Sequence, residues 1–525
     1  MPTATWTLEM EDIVTAGTYT DISSYMQSAN WSMGYSAPYE PLARESTLSV
    51  VLDNSDQRFS PEYTSGTYYG KLLPGILIRL KSTDPADSTV RTMFIGWVGS
   101  IRPTAGLSPD TCEIQAQGWM SRAMTAETSI TVMENTTADA VIDKLLETSR
   151  VYPPGTSAWF LGVVGQSELD ETTKLGDIET IFKSETGVST FLFAGDNWTD
   201  NTTLWGACQD TCGREYGRMW QARDGVLYFN NRHHIIKDVT TDFTFTNTMS
   251  DMQYEYGDPA DMANVVKVKA QTRRETAAQV LAGLENAVAI SGGGGTVDVT
   301  FVIESQDSGV SLAVKSPTTP AQTTDFLANT NADGSGTNIT SDVTAAIPAA
   351  TSLATRVTVT YTNANASNGY ILAGAQLRGT KLDQFAVVEE SQQDDTSIAS
   401  YGRRELAWEY AMDTTTLASG IAGFIKDERV NPRGIVSSIS FKPNTSAALL
   451  TAALTHSIFA RIAVTETQTG ISSAPYFLIN ETHEVAANDY SVVWGLEPAS
   501  ATTYWILGDA SSTFDNSTVP RLGPI

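Results

Sequence analysis

Cys208 and Cys212 stand four residues apart in a segment of helical spacing, so both thiols would lie one turn apart on one face, which supplies half of a four-ligand zinc site. The nearest residues for the other half are His233 and His234. Adjacent residues on an expected strand point to opposite faces, so they do not complete the set, and the two cysteines read as buried core residues. A second candidate, Asn329-x-Asn331-x-Asp333-Gly334, begins like a calcium loop. Its twelfth position, where a bidentate acid would close the coordination shell, is Thr340, so it reads as a polar loop. The adjacent acids Glu389-Glu390 and Asp394-Asp395 lack the separation that glycoside hydrolysis demands and read as a solvated face. With four histidines in all (His233, His234, His456 and His483), a triad or a three-histidine metal site is poorly supplied. No G-x-S-x-G, H-E-x-x-H or P-loop string occurs. The expectation is no enzyme, with no catalytic, cofactor-binding or metal-binding residues.

The elements that carry these residues belong to a chain of several domains. At roughly 100 to 200 residues per domain, 525 residues with 41% hydrophobic and 18% charged side chains suit three to five cores. Sixty acidic against 33 basic residues give a net charge of -27. That argues against nucleic acid held through its phosphates, which depends on Lys and Arg releasing counterions. It does not exclude a duplex passing by, since an acidic surface repels phosphates. Three cysteines make no disulfide framework, the start Met1-Pro2-Thr3-Ala4-Thr5-Trp6 does not read as a secretion signal, and no apolar run is long enough to span a membrane. Synthesis in a reducing cytoplasm is expected.

Taken in order, residues 1–122 read as β: Thr7-Leu8-Glu9-Met10, Trp31-Ser32-Met33, the alternating run Leu48 to Asp53, then Ile76 to Leu80, Met93 to Val98 and Thr111 to Ala116. Between the third and fourth lies Asn54-Ser55-Asp56-Gln57-Arg58-Phe59-Ser60-Pro61, followed by Tyr69-Gly70 and Leu73-Pro74-Gly75, a structured loop rich in turn formers. Residues 123–248 read as α+β. Ala138, Val141, Ile142, Leu145 and Leu146 fall at helical spacing, and Pro153-Pro154-Gly155 ends the region. A second helix is expected from Thr202 to Tyr216, closed by Gly217, and Asp224-Gly225 predicts a hairpin turn. Alternation resumes at Ala263 to Ala270. It is interrupted by Ser291-Gly292-Gly293-Gly294-Gly295 and by a Thr/Ala/Asn/Gly-rich stretch in which Val297 to Ile303 and Arg356 to Tyr361 are strands, so 285–379 reads as an inserted β-sandwich. The interrupted region, 249–284 and 380–525, then continues with a helix from Thr415 to Glu428, strands at Ile435 to Phe441 and Phe459 to Val464, a hairpin formed by Tyr476 to Val485 and Tyr490 to Ala499, and an extended tail.

The order strand, D-N-x-D-x-R-F-S-P, Tyr-Gly, L-x-P-G, strand, F-x-G-W (Phe94-Ile95-Gly96-Trp97) resembles the first barrel of the tail hub proteins of tailed bacteriophages, the baseplate hub or tail-tip hub family. The helix, D-G hairpin and Arg232 resemble that family's second domain. Ser397-Ile398-Ala399-Ser400-Tyr401-Gly402-Arg403-Arg404 and Trp505-Ile506-Leu507-Gly508-Asp509 are similar to its ending. The resemblance implies a mainly β chain: two tail-tube-like β-barrel domains (1–122, and 249–284 with 380–525), an intervening α+β domain and an inserted β-sandwich. It also implies a homotrimeric ring at the virion tail tip, assembled in the host cytoplasm. Its partners would be the distal tail or tail tube protein, the tape-measure protein and tail fibre or receptor-binding proteins, with DNA only passing through the lumen. Some members carry an enzymatic module; this chain is expected to end at the second barrel without one. The alternative reading is a secreted carbohydrate-binding or polysaccharide-degrading β-protein, which the Trp and Tyr content favours and the absence of a signal sequence opposes. A calcium-dependent adhesin rests on the loop near Asp333 alone.

Overall fold

The computed structural model describes residues 2–13, 18–106, 110–154, 181–198, 201–257, 261–303, 313–348, 353–487, 489–499, 504–505 and 521–522, and the chain is mainly β. Seven strands come first: β1 (Thr5–Glu11), β2 (Tyr19–Asp21), β3 (Met26–Gly34), β4 (Arg44–Asp53), β5 (Leu77–Thr83), β6 (Val90–Pro103) and β7 (Thr111–Gln117). Their apolar residues alternate into one core: Leu48, Val50 and Leu52 are buried to within 1% exposure, while Ser49, Val51 and Asp53 are half-buried.

The loop between β4 and β5 is held by its own motif. Asn54 Oδ1 accepts from the Phe59 amide (2.9 Å), and its amide group donates to Ser60 Oγ (3.0 Å). Phe59 is wholly buried, edge-on to Tyr25 and stacked on Tyr68. Arg58 pairs with Asp56 and lies 4.0 Å over the Tyr25 ring. Every conspicuous residue of this string thus has a structural task.

Next come α1 (Ala138–Ser149) and α2 (Leu204–Glu215). All five apolar residues expected on α1 are buried. Thr203 caps α2 by accepting from the Gly206 amide, and the left-handed residue that ends it is Tyr216 (φ 60°) rather than the expected Gly217. The Asp224-Gly225 turn joins β8 (Arg218–Gln221) to β9 (Leu227–Asn230). Gly225 has φ +86°, and a Cβ there would sit 2.1 Å from the Pro154 carbonyl oxygen, so glycine is required on both counts. Gly155 lies outside the described residues, as do Ile506 to Asp509 of the tail motif. His233 and His234 do not lie on a strand: they open the short helix His234–Lys237.

β10 (Phe243–Thr246) and β11 (Asp251–Tyr256) follow, then a long insertion. In it, β12 (Val265–Ala270) is sandwiched between two later strands of its own small sheet, and β13 (Gly295–Val302) pairs along its whole length with β14 (Arg356–Asn363). Val299, Phe301, Phe326, Val357, Val359, Tyr361 and Leu377 form a core separate from that of β1–β7. The strands flanking β12 are β15 (Val388–Gln393) and β16 (Glu405–Met412), and α3 (Thr415–Arg429) covers them. The chain then returns through β17 (Gly434–Phe441), α4 (Ala447–Thr455), β18 (Arg461–Glu466), β19 (Ile471–Ala486) and β20 (Asp489–Pro498).

One sheet of thirteen strands joins the beginning of the chain to its end, in the order β11-β17-β20-β19-β3-β4-β7-β6-β5-β1-β2, with β18 pairing β19 and β10 pairing β18. Read in chain order, β1, β3, β4, β5, β6 and β7 form the path β3-β4-β7-β6-β5-β1. Strands β10, β11, β17, β18, β19 and β20 form β11-β17-β20-β19-β18-β10. The six-strand path therefore occurs twice, the one difference being that β1 meets β5 antiparallel and β10 meets β18 parallel. Closed barrels were expected. Among the described residues the ladders form no closed barrel, because β3 and β19 use their edges to pair with each other.

Replacing Phe59 with Ala should cost about 3–5 kcal/mol, since it removes a buried ring on which the 54–76 loop closes. Urea unfolding of the two proteins measures the difference; a change under about 1 kcal/mol would contradict the role given to the loop.

Candidate assembly site: a hairpin clamp over the seam

The seam is an antiparallel ladder from Ser28↔Ala486 to Gly34↔Asn480. Its inner face carries Trp31, which stacks on His483 with ring centroids 4.7 Å apart and planes 4° from parallel. Trp6 meets both Trp31 and Tyr490 edge-on. At its end Gly34 has φ +107°, and a Cβ there would lie 2.2 Å from the Ile479 carbonyl oxygen, so only glycine lets the two strands approach.

A charged group lies buried in this apolar seam. Glu481 and His483 are both wholly buried, on the inward phase of β19 with Ile479 and Val485. Arg223, at the tip of the β8–β9 hairpin, meets Glu481 with two bonds, Nε to Oε1 (2.6 Å) and Nη2 to Oε2 (2.5 Å). The same guanidinium donates to the carbonyls of Leu454 (3.0 Å) and His456 (2.8 Å). Burial opposes the charge on Glu481, but Arg223 outweighs it and holds the carboxyl down at about 2. Burial also pushes His483 below its ordinary value, against the pull of Glu481. The neutral ring with its proton on Nδ1 can donate to the Tyr490 hydroxyl (2.9 Å) and accept from Arg223 at Nε2 (3.4 Å).

The same hairpin grips both repeats. Gln221 donates to the Ile95 carbonyl of β6 and accepts from the Trp119 amide. Met219 exchanges backbone bonds with Pro41 and Ala43 in the loop after β3. Arg218 reaches Glu497 of β20 (3.2 Å) and the Glu40 carbonyl. Glu497 in turn accepts from the Tyr39 amide (2.5 Å). Hairpin, first repeat and second repeat are thus bonded into one body through side chains almost entirely removed from water.

The residues singled out for chemistry are not brought together. Cys208 and Cys212 are wholly buried, and burial pushes the Cys208 thiol up to about 12, which makes it inert. His234 pairs with Glu185 instead (2.8 Å). The loop at Asp333 is closed by its own bonds, with Ser335 donating to Asp333 from both its amide and its hydroxyl. Glu389 pairs with Lys267 (3.3 Å), and Asp394 accepts from the Ser397 amide as the cap of helix Asp395–Tyr401. Arg232 is buried against Ser189 and Glu215. Among the described residues no three His, Cys, Asp or Glu side chains converge as a metal site, and no helix is long and apolar enough to cross a membrane.

Comparison with solved structures finds phage tail proteins. The chain is similar to the tail protein from Neisseria meningitidis MC58 (TM-score 0.46, 8% identity, 94% of this chain and 96% of that one). It is similar also to the 43 kDa tail protein of prophage MuSo2 from Shewanella oneidensis (TM-score 0.46, 8% identity, 94% and 99%). A third is prophage tail protein gp18 from Listeria monocytogenes EGD-e (TM-score 0.42, 7% identity, 94% and 95%). No protein-family model and no curated protein matches the chain.

Two outcomes follow from the buried pair. Arg223→Met should cost about 3–5 kcal/mol by leaving Glu481 buried without a counter-charge, and Glu481→Leu added to it should recover much of that loss; urea unfolding of the single and double variants checks both. His483 and His456 are both held below the ordinary histidine value, so the unfolded chain takes up their protons first. The stability they contribute is complete above about pH 6.5 and is lost as pH falls through that value towards their folded ones. The melting temperature should therefore drop between about pH 7.5 and pH 5.5, and by less in His483→Gln. An equal drop in both proteins would contradict the assignment to His483.

Proposed function

We propose that this chain is the structural hub at the distal tip of a bacteriophage tail. Three copies would form a ring that joins the tail tube to the tip and fibre proteins and closes or lines the DNA channel until the host is met. The observation that carries this reading is the six-strand path used twice and joined edge to edge in one sheet. A chain that presents two like units side by side offers six units from three copies, which fits a sixfold tube above and a threefold tip below. A net charge of -27 suits a lumen that DNA passes without sticking.

In this reading the first tube-like unit is 1–122 and the α+β domain runs from 123. The second unit starts ahead of Phe243, earlier than 249, because β10 pairs with β18. The sandwich at 285–379, with its separate core, stands to the side, where it can meet neighbouring tip proteins or host glycans. Tube and tape-measure proteins are the axial partners, the site of action is the virion tail tip, and the role is not enzymatic. The purified protein, measured by light scattering over a range of concentrations, should reach a stable mass near three times that of the 56.6 kDa chain. A mass that stays at one chain at every concentration, together with turnover of a polysaccharide, would favour the carbohydrate-active alternative.

A further inference from the structure

The internal seam contains the instructions for a second one. In the first repeat a row of paired residues crosses four strands, Ser100↔Gln115↔Ser49↔Asn30. In the second repeat the equivalent row is Asn480↔Gly495↔Ser438↔Gln253. Both rows begin where the register slips by one residue, between Val98 and Ser100 in β6 and between Leu478 and Asn480 in β19. Ser100 thus takes the place of Asn480, and Gln253 the place of Asn30. β3 corresponds to β11, and β19 corresponds to β6.

Inside the chain, β3 lies along the second half of β19, past the part that β18 covers. The corresponding edges are open among the described strands. β5 pairs with β6 only up to Trp97, and beyond Val98 no described strand pairs with that edge. β11 ends the thirteen-stranded sheet and pairs with β17 alone among the described strands.

We propose that β11 of one copy of this chain pairs antiparallel with the 101–104 edge of β6 in a second copy, in the register of the β3–β19 seam. Transferring that register places Gln253 opposite Thr104, Tyr254 opposite Pro103, Glu255 opposite Arg102 and Tyr256 opposite Ile101. The side chains agree with it. Tyr254, Tyr256, Pro103 and Ile101 fall on one face, and Tyr254 on Pro103 repeats the flat contact of Trp31 on His483. Gln253, Glu255, Thr104 and Arg102 fall on the other, with an acid directly across from a base. Tyr256 is 68% exposed in the single chain, as an interface residue awaiting its partner would be. The Thr104 amide donates to Thr111 in β7, so Pro103 faces the open edge and offers it a carbonyl but no N–H. A proline there lowers the risk of pairing with unrelated strands.

Each copy carries one β11 edge and one β6 edge, so the contact is head to tail and repeats until it closes. Closure at three copies rests on the hub reading; the choice of strands does not. The test is the full chain carrying Glu255→Cys and Arg102→Cys. Glu255 and Arg102 would face each other as a non-hydrogen-bonded pair with Cα atoms about 4.5 Å apart, within reach of a disulfide. Under mild oxidation this variant should give covalently linked chains on a non-reducing gel, and neither single variant should. Arg102→Glu or Glu255→Arg alone should weaken self-association roughly five-fold, and the two together should restore it. A trimer that forms with the cysteines unlinked and the charge reversals without effect would overturn this seam and leave the hub reading standing. A chain that remains a monomer and unlinked at every concentration would overturn both.

Discussion

The pairing of β3 with β19 is the contact on which the remaining architecture depends. A strand edge is a row of unmet backbone donors and acceptors, and an open path of six strands exposes one at each end. Joining the edge of one repeat to the longer strand of the other satisfies that row without closing either sheet. It also fixes everything laid across it. The β8–β9 hairpin reaches over the seam with Arg218 and Arg223, and each finds its carboxylate, Glu497 or Glu481, on the second repeat. Buried ion pairs contribute little net stability against apolar replacements, but an unpaired buried charge is costly. Their effect is therefore selective: the hairpin can dock in one position only, and the two repeats are held at one register.

The long insertion after β11 shows how much such a core tolerates. The sheet is left after Tyr256 and rejoined at Gly434, and β17 still finds β11 across the gap in an antiparallel ladder with one slip. Inside the insertion, the strands around Val357 and Tyr361 bury their own apolar side chains, so that part draws little on the main core. Loop-closure cost rises only slowly with length, which is why an elaboration of this size can sit between two adjacent strands.

Much of this was visible in the amino-acid sequence, for identifiable reasons. Helix α1 showed because Ala138, Val141, Ile142, Leu145 and Leu146 recur at helical spacing, and the Asp224-Gly225 turn showed because the chain there needs a positive φ. The 54–61 string was conspicuous because a polar loop with a buried Phe needs several specific turn residues at once. The internal duplication did not show. A repeated strand path demands only alternation and a place for each bulge, and Gln115 and Gly495, or Ser100 and Asn480, need share no chemistry to occupy the same rung. The seam's charges were hidden for a related reason: Glu481 and His483 look like solvent-facing residues unless their phase with Ile479 and Val485 is counted, and Arg223 reads as part of a turn. His233 and His234 read as strand residues because they follow a hairpin strand and the helix His234–Lys237 is too short to show a helical period.

What unites fold and proposed role is that one chain supplies two like units already joined in the manner in which successive chains would join. Electron-microscope images of the purified protein viewed end-on test this most directly. The expected images show a ring of six similar lobes around a central opening, alternating in the extra mass of the inserted sandwich so that the true symmetry is threefold. Single particles without a ring, or rings with one lobe per chain, would contradict it.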